Sequence, residues 1–551
     1  MKKVIKFFSL LVTLALVMTL FTSCGQPPQT ATPTQSGTSQ VPTSATPTEN
    51  VLTIAIAGDL ETTDLMFSSF QRSNENNFNV YDQFFQYAFK DTGKGYMEAD
   101  VTKVIGRSME SYEFAPDYLS VKLHLRKGVR FGHTGREMTT DDVMYFFERA
   151  FANKDSGSGS NLKTLGIPDL DHVKVTGPDE ITIYFEKPSP YFLYLFRDQA
   201  MAPIDSVEVK KHATDDDPWA TKWMAKHDAG AGPYYIESWT PGVEIVYRRN
   251  PYYWDKRPYF DKVVLKIIPN SADRAMLLKE GSVDIATDLT ADEINSLQGA
   301  PRVKILSVPT RNQLTMGMNC NVEPFNNVKV RQALSYAVPY DDILNGVFKG
   351  QALKSEGPIA VLSQWHITGL WPYSYNPEKA KALLAEAGYP NGFSFTVDIP
   401  TGLPVAEKVA VLLKDAFAKI GVNMTINKQS DSVFGEQLWK GEHQAYIRDI
   451  LWYVDDVGYI SAWGFKTKGI CNWKNYSNSR VDELTDQLAT EMDKEKRAQL
   501  SEEWQKIVIQ DAPELFLGDM NFQLAMRDDI GGYVQLPENY LYYYTLYRIA
   551  K

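Results

Sequence analysis

The residues best suited to chemistry lie close together. Trp452 and Tyr453 close the strand-like run AYIRDILWY and are followed almost at once by Asp455 and Asp456. Two large rings beside two carboxylates at a strand end can surround a cation by stacking and ion pairing, while a plain solvated turn is the other reading of the same residues. A second aromatic pair, Trp365 and Trp371, sits in QWHITGLWPYSY, a Gly- and Pro-containing loop where rings have less core to fill and can wall a small-molecule pocket. Asp141 and Asp142 form another acidic pair. They fall in the first turn of a helix opened by Thr139, where carboxylates complement the helix dipole.

No segment matches a nucleophile elbow, a His-Glu-x-x-His helix, a phosphate-binding loop or a dinucleotide fingerprint. The seven histidines, at 124, 133, 172, 212, 227, 366 and 443, never fall at i, i+3 or i+4, so none makes a local metal clamp. Paired carboxylates brought together from distant segments keep a secreted hydrolase open as an alternative. The three cysteines, Cys24, Cys320 and Cys471, show no Cys-x-x-Cys spacing. Neither a zinc site nor a disulfide scaffold is expected, and Cys320 and Cys471 read as independent small core residues. No cofactor, no metal and no catalytic residue is expected.

The elements that must position these residues begin at Val51. VLTIAIAG reads as a buried strand, YLSVKLHLRKGVRF as a half-buried one, and VEIVYRRNPYYW and KVVLKIIP as two more. Helices are expected over 272–279, 328–337, 378–387 and 406–420, with Gly281, Gly388 and Gly421 just past their ends. Lys154 to Asn161, which holds Gly157 and Gly159, reads as a flexible loop. Trp504 and Phe147 fall on helical stripes and belong to the core. Mixed strands and helices with no fixed-period repeat make a large α/β body.

The chain has 551 residues, with 57 Lys plus Arg against 68 Asp plus Glu, a formal charge of −11. Sequence-independent nucleic-acid binding needs the opposite balance. Lys2, Lys3 and Lys6 precede an apolar run, Phe7 to Phe21, that is short for a bilayer span and suits the core of a signal peptide. The run meets Thr22-Ser23-Cys24-Gly25, which is similar to the lipobox of bacterial lipoproteins, with Phe21 where Leu is usual. Residues 1–23 are thus expected to be removed and Cys24 to carry lipid. Residues 25–50 hold five Pro and seven Thr with one charged side chain, Glu49. Such a segment cannot bury enough apolar surface to offset its ordering entropy, so it reads as a tether.

Five ordered blocks, spread between residue 125 and residue 393, then bear a resemblance. LRKGVRFGHTGREMTTDDVMYFFERAF, GAGPYYIESWTPGVEIVYRRNPYYW, LLKEGSVDIA, PFNNVKVRQALSYAV and YNPEKAKALLAEAGYPNGF follow the order and approximate spacing of blocks in the extracellular solute-binding proteins, family 5. The resemblance covers about 51–545. It implies a two-lobed, periplasmic-binding-protein-like α/β fold of the class II type with an extra subdomain near 75–200. Lobe I would comprise 51–308 and return over 516–551, lobe II would comprise 309–515, and the ligand cleft would lie between them. It also implies a non-catalytic, monomeric substrate-binding subunit of an ABC importer, held at the outer face of the membrane through Cys24. Its partners would be a permease, a separate ATPase and a peptide-like solute.

Peptide-binding members carry a Trp-x-x-Asp-x-x-acid-Pro motif whose Asp pairs with the peptide ammonium. Trp452 and Asp455 match it, while Gly458 and Tyr459 replace the acid and the proline. Ala337-Val338-Pro339-Tyr340 likewise departs from the usual Ala-Ile-Asp-Arg. Asp455 is therefore expected to meet the ammonium, with Trp452 and Tyr453 as a wall. An oligosaccharide stacked on Trp365, Trp371 and Trp452 is the alternative ligand, and a bare nickel ion ranks lowest.

Overall fold

Eleven strands form the sheet at the centre of the computed structural model, which describes residues 49–550. In chain order they are β1 (Val51–Ile56), β2 (Tyr234–Thr240), β3 (Glu244–Arg249), β4 (Lys262–Ile267), β5 (Ile285–Ala286), β6 (Val303–Met318), β7 (Ala352–Leu353), β8 (Ser394–Pro400), β9 (Asn423–Gln429), β10 (Ala445–Ile450) and β11 (Glu514–Arg527). Across the sheet they run β9-β8-β10-β6-β11-β5-β1-β4-β3-β2, with β7 paired to β11. The expected signal peptide, Cys24 and nearly all of the expected tether lie outside the described residues. Among the first described residues, the Asn50 carbonyl accepts the Asp261 amide at 2.8 Å. No helix among the described residues is long and apolar enough to cross a membrane.

The strand VLTIAI is apolar along its length because it is central, lying parallel to both β4 and β5. Two antiparallel strands, β6 and β11, carry the sheet from one core into another. Val303–Pro309 pairs with Asn521–Arg527, then Asn312–Gly317 pairs with Glu514–Met520, with a slip in register between Pro309 and Asn312. Before the slip the pair packs Val308, Leu524 and Met526 into a first core with Leu52, Ile54 and Leu265. After it, Leu314, Met316, Leu515 and Leu517 enter a second core with Leu334, Val397, Leu413 and Ile447.

A four-stranded antiparallel sheet stands beside the first core, in the order Met109–Phe114, Ser120–Leu125, Glu180–Tyr184, Val173–Gly177. It is covered by the helix Thr140–Ala152, where Asp142 sits at the third position and closes a capping box with Thr139. Asp142 also receives the Arg136 guanidinium and the Ser206 hydroxyl, at 2.7 Å for the latter. Burial works against its charge, but these donors hold its carboxyl below the usual range. The acidic pair at 141 and 142 is a helix start.

One local expectation fails. Residues 154–161 are not a loop throughout, because Gly157–Thr164 is a helix. Ser156 caps it by accepting the Gly159 amide at 3.1 Å, and a Cβ at Gly159 would stand 2.6 Å from the Asn153 carbonyl. The glycines permit close packing and do not confer freedom.

Candidate ligand-binding site

Strand β10 stops at Ile450, and Leu451–Asp456 carries the chain to the helix Val457–Gly464. Asp456 caps that helix, accepting the Gly458 and Tyr459 amides at 2.8 and 3.2 Å and pairing with Arg497 at 2.6 Å. Burial pushes its carboxyl up, with Arg497 opposing. Its role is structural.

Asp455 is placed differently from what the motif suggests. Its side chain has no solvent exposure, and one oxygen meets Arg311 Nη1 at 2.8 Å and the Ser363 hydroxyl. The other accepts the Gln364 amide at 3.3 Å, and the Asp455 carbonyl accepts Trp365 Nε1 at 3.2 Å. An internal guanidinium thus pairs with the carboxylate that the motif assigns to a ligand ammonium. Trp365 therefore braces the Asp455 loop, with Arg497 lying 5.2 Å from its ring. Trp371 packs edge-on against Tyr373 and Phe516, at 4.9 and 5.7 Å. The structure does not bring Trp365 or Trp371 to the cavity that Trp452 and Tyr453 line.

That cavity has a volume of about 460 Å³ and is lined by Asn312 of β6 and by three other separated parts of the chain. Ser69 and Gln71 come from the amino-terminal part, residues 439–473 supply most of the wall, and Glu538, Asn539 and Tyr540 come from the carboxyl-terminal part. Trp452 stands edge-on to Tyr459 at 6.4 Å, fitted over Gly464, where a Cβ would lie 2.8 Å from the indole. Tyr453 is 37% exposed. Trp439, Trp463 and Trp473 add further rings.

Charge enters the cavity from both ends of the scale. Glu538 is buried, and one of its oxygens is paired with Arg197 while the other, Oε2, has no protein partner. Arg197 lies 4.1 Å from the Tyr87 ring and donates to the Tyr453 carbonyl at 2.8 Å, so it joins the Tyr87 strand to the wall of the cavity. Asp449 accepts from Asn312 Nδ2 at 3.0 Å. Arg448 lies 4.3 Å from the Trp473 ring. The arrangement offers a carboxylate, a guanidinium and flat apolar walls, which suits an elongated zwitterion with side chains.

Sequence reasoning missed Arg197, Arg311 and Glu538. Arg197 and Glu538 are 341 positions apart, and neither stands in a motif. Only the fold makes them neighbours.

Comparison with known proteins identifies the family. The profile of the bacterial extracellular solute-binding proteins, family 5 (middle), matches residues 103–470. The chain belongs to this family. Family 5 consists of substrate-binding transport proteins, and the two-lobed fold follows. The chain is 28% identical over 498 residues to the probable D,D-dipeptide-binding periplasmic protein DdpA of Escherichia coli, covering 89% of this chain and 92% of that one. It is 29% identical over 459 residues to heme-binding protein A of Haemophilus influenzae, covering 79% and 82%. Among solved structures, the substrate-binding protein CtaP of Listeria monocytogenes matches with a TM-score of 0.80 at 19% identity, covering 91% and 99%. DppA of Helicobacter pylori, in complex with the peptide STSA, matches with a TM-score of 0.77 at 23% identity, covering 91% and 98%. At these identities the solved structures speak for the fold alone.

Proposed function

We propose that this family 5 protein is the substrate-binding subunit of an ABC importer and captures a short peptide-like solute in the 460 Å³ cavity. The observation that carries the reading is Glu538, a buried carboxylate with one unpartnered oxygen in a cavity that also holds Arg448. A buried carboxylate oxygen without a donor is unfavourable, and a ligand ammonium would relieve it. Arg448 would take the opposite end, and Trp452 and Tyr453 would hold the body of the ligand. Small-molecule sites span roughly 300–1,000 Å³, so the volume favours a few residues over a long chain. Relatives that include a dipeptide-binding and an oligopeptide-binding protein support the same class.

Capture would be a hinge closure. The register slip at Pro309–Asn312 and the facing Met520–Asn521 are the natural pivots, because the ladder between β6 and β11 is interrupted there. Arg197 to Tyr453 would be a contact made only on closing, which lets ligand binding shift the population. Cys24 would carry the lipid and residues 25–50 the slack between membrane and body. The permease would receive the closed form, and a separate ATPase would supply the energy.

Isothermal calorimetry with dipeptides, N-acetylated dipeptides and xylo- and cello-oligosaccharides tests this. Free dipeptides should bind one to one and remain unchanged, with N-acetylation or Glu538→Gln weakening them about 10- to 100-fold. Equal affinity for acetylated and free peptides refutes the ammonium assignment. The ring content of the wall, Trp439, Trp452, Trp463 and Trp473 in particular, favours oligosaccharide as the second reading, and binding of sugars alone would establish it.

A further inference from the structure

A second cavity, larger than the one lined by Trp452 and Tyr453, lies in a different part of the molecule. A pocket of about 660 Å³ opens beside β2, walled by Phe131, Trp223 and Trp239. Trp223 is held in a parallel stack between His212 and His227, with ring centroids 4.2 and 4.8 Å away. Trp239 is fixed by its Nε1, which donates to Asp59 at 2.8 Å. The walls are built before anything enters.

Four carboxylates line this pocket, and three already have partners. Asp205 is paired with Arg136, Glu208 with Lys211 and Glu237 with Arg248. Asp228 differs. Its side chain has no solvent exposure, and Oδ2 accepts the Ile236 amide at 2.9 Å and His133 Nε2 at 3.1 Å. Oδ1 has no partner. Among the described residues no group of three or more His, Cys, Asp or Glu is arranged to hold a metal ion, so His133 and Asp228 act as a hydrogen-bonded pair.

We propose that this pocket is a second binding site, separate from the cavity lined by Trp452 and Tyr453, for a small primary amine bearing an aromatic or branched aliphatic body. A buried carboxylate oxygen without a donor calls for N–H, and a positively charged donor gains most there. Phe131 and the indole of Trp239 can cover the apolar body, whereas the faces of Trp223 are already taken by His212 and His227. Burial works against charge on His133, but Asp228 outweighs it and keeps the ring's protonation favoured, which leaves Oδ2 occupied and Oδ1 as the point of attachment.

Phenethylamine is the probe, with phenethyl alcohol as its neutral counterpart and phenylacetate as its anionic one. Calorimetry on the soluble chain should show phenethylamine binding one to one, tighter than about 1 mM, and at least about tenfold tighter than the alcohol. Asp228→Asn should weaken it about 10- to 100-fold, and its amide oxygen can still accept from Ile236, which a denaturation curve would verify. Trp223→Ala, a change on the half-buried wall, should weaken it as well, whereas Trp452→Ala in the other cavity should leave it unchanged. No binding of phenethylamine, equal binding of all three probes, or sensitivity to Trp452→Ala in place of Trp223→Ala would each overturn the proposal.

Discussion

Replacing Asp455 by Asn, and Arg311 by Met, separates a structural charge from a ligand-binding one. The two groups meet at 2.8 Å with side-chain exposures of 0% and 10%. At an effective dielectric of about 20, unit charges at that distance attract by about 6 kcal/mol, and the price of desolvating them offsets much of it. Removing one partner strands the other charge in the interior and should destabilise by about 3–5 kcal/mol. Removing both should destabilise by less than the sum, with a coupling of about 2 kcal/mol or more, because no uncompensated charge remains. Urea unfolding of the two single variants and the double variant, followed by Trp fluorescence and circular dichroism, measures this. A chain with two cores can unfold in two steps, and the loss belongs in the step that melts β6 and β10. Dipeptide affinity of Asp455→Asn should stay within about tenfold of the parent, since Asp455 does not reach the cavity. A variant that lost less than about 1 kcal/mol of stability yet failed to bind dipeptide would refute the reasoning and return the ammonium to Asp455.

Burial pushes the Asp198 carboxyl up to about 6, above the 3.8 of an unfolded chain, with Arg197 and the Ala200 amide opposing. The stability it contributes is therefore present below 3.8 and lost as pH rises through about 6. Asp198→Asn should raise urea stability at pH 7 by at most about 3 kcal/mol, an upper bound because the residue keeps some solvent access, and by little at pH 4. Parallel pH profiles for the two proteins would contradict this. Arg197→Lys keeps a positive charge beside Glu538 but cannot also hold the Tyr453 carbonyl. Dipeptide affinity should fall about tenfold with little change in stability, and an unchanged affinity would remove Arg197 from the closing contact. Cys24→Ser should abolish incorporation of a palmitate analogue in cells, and persistent labelling would place the lipid elsewhere.

Much of the fold was legible because local signals agreed with each other. Thr139 and Asp142 announced a helix start, and Gly281 stands in the left-handed conformation just past Ser271–Glu280. Trp504 on its helical stripe is fully buried. The site was less legible. Trp452 and Tyr453, which the sequence singles out because they share one short segment with a motif, both line a cavity. For Trp365 and Trp371 the sequence could not show the packing partners, because a loop rich in Gly and Pro can fold back on the body, and only the fold sets them against the Asp455 carbonyl and the ring of Phe516. Glu538 carried no signal, since an acid near the carboxyl end looks like any surface acid until Arg197 is placed against it.

By itself the sequence determined the class of the protein: an α/β body behind an expected lipidated leader, with ordered blocks that place it among extracellular solute-binding proteins. Those features depend on periodicity, capping and short motifs, which act over a few residues and survive in a linear reading. Tertiary structure decided which carboxylate oxygens keep no protein donor. Asp455 is neutralised by Arg311, 144 positions away, while Glu538 and Asp228 each keep one buried oxygen without a donor. Whether a carboxylate is spent on the protein or kept for a ligand depends on which groups the fold brings within about 3 Å, and that distance is not written in the order of residues.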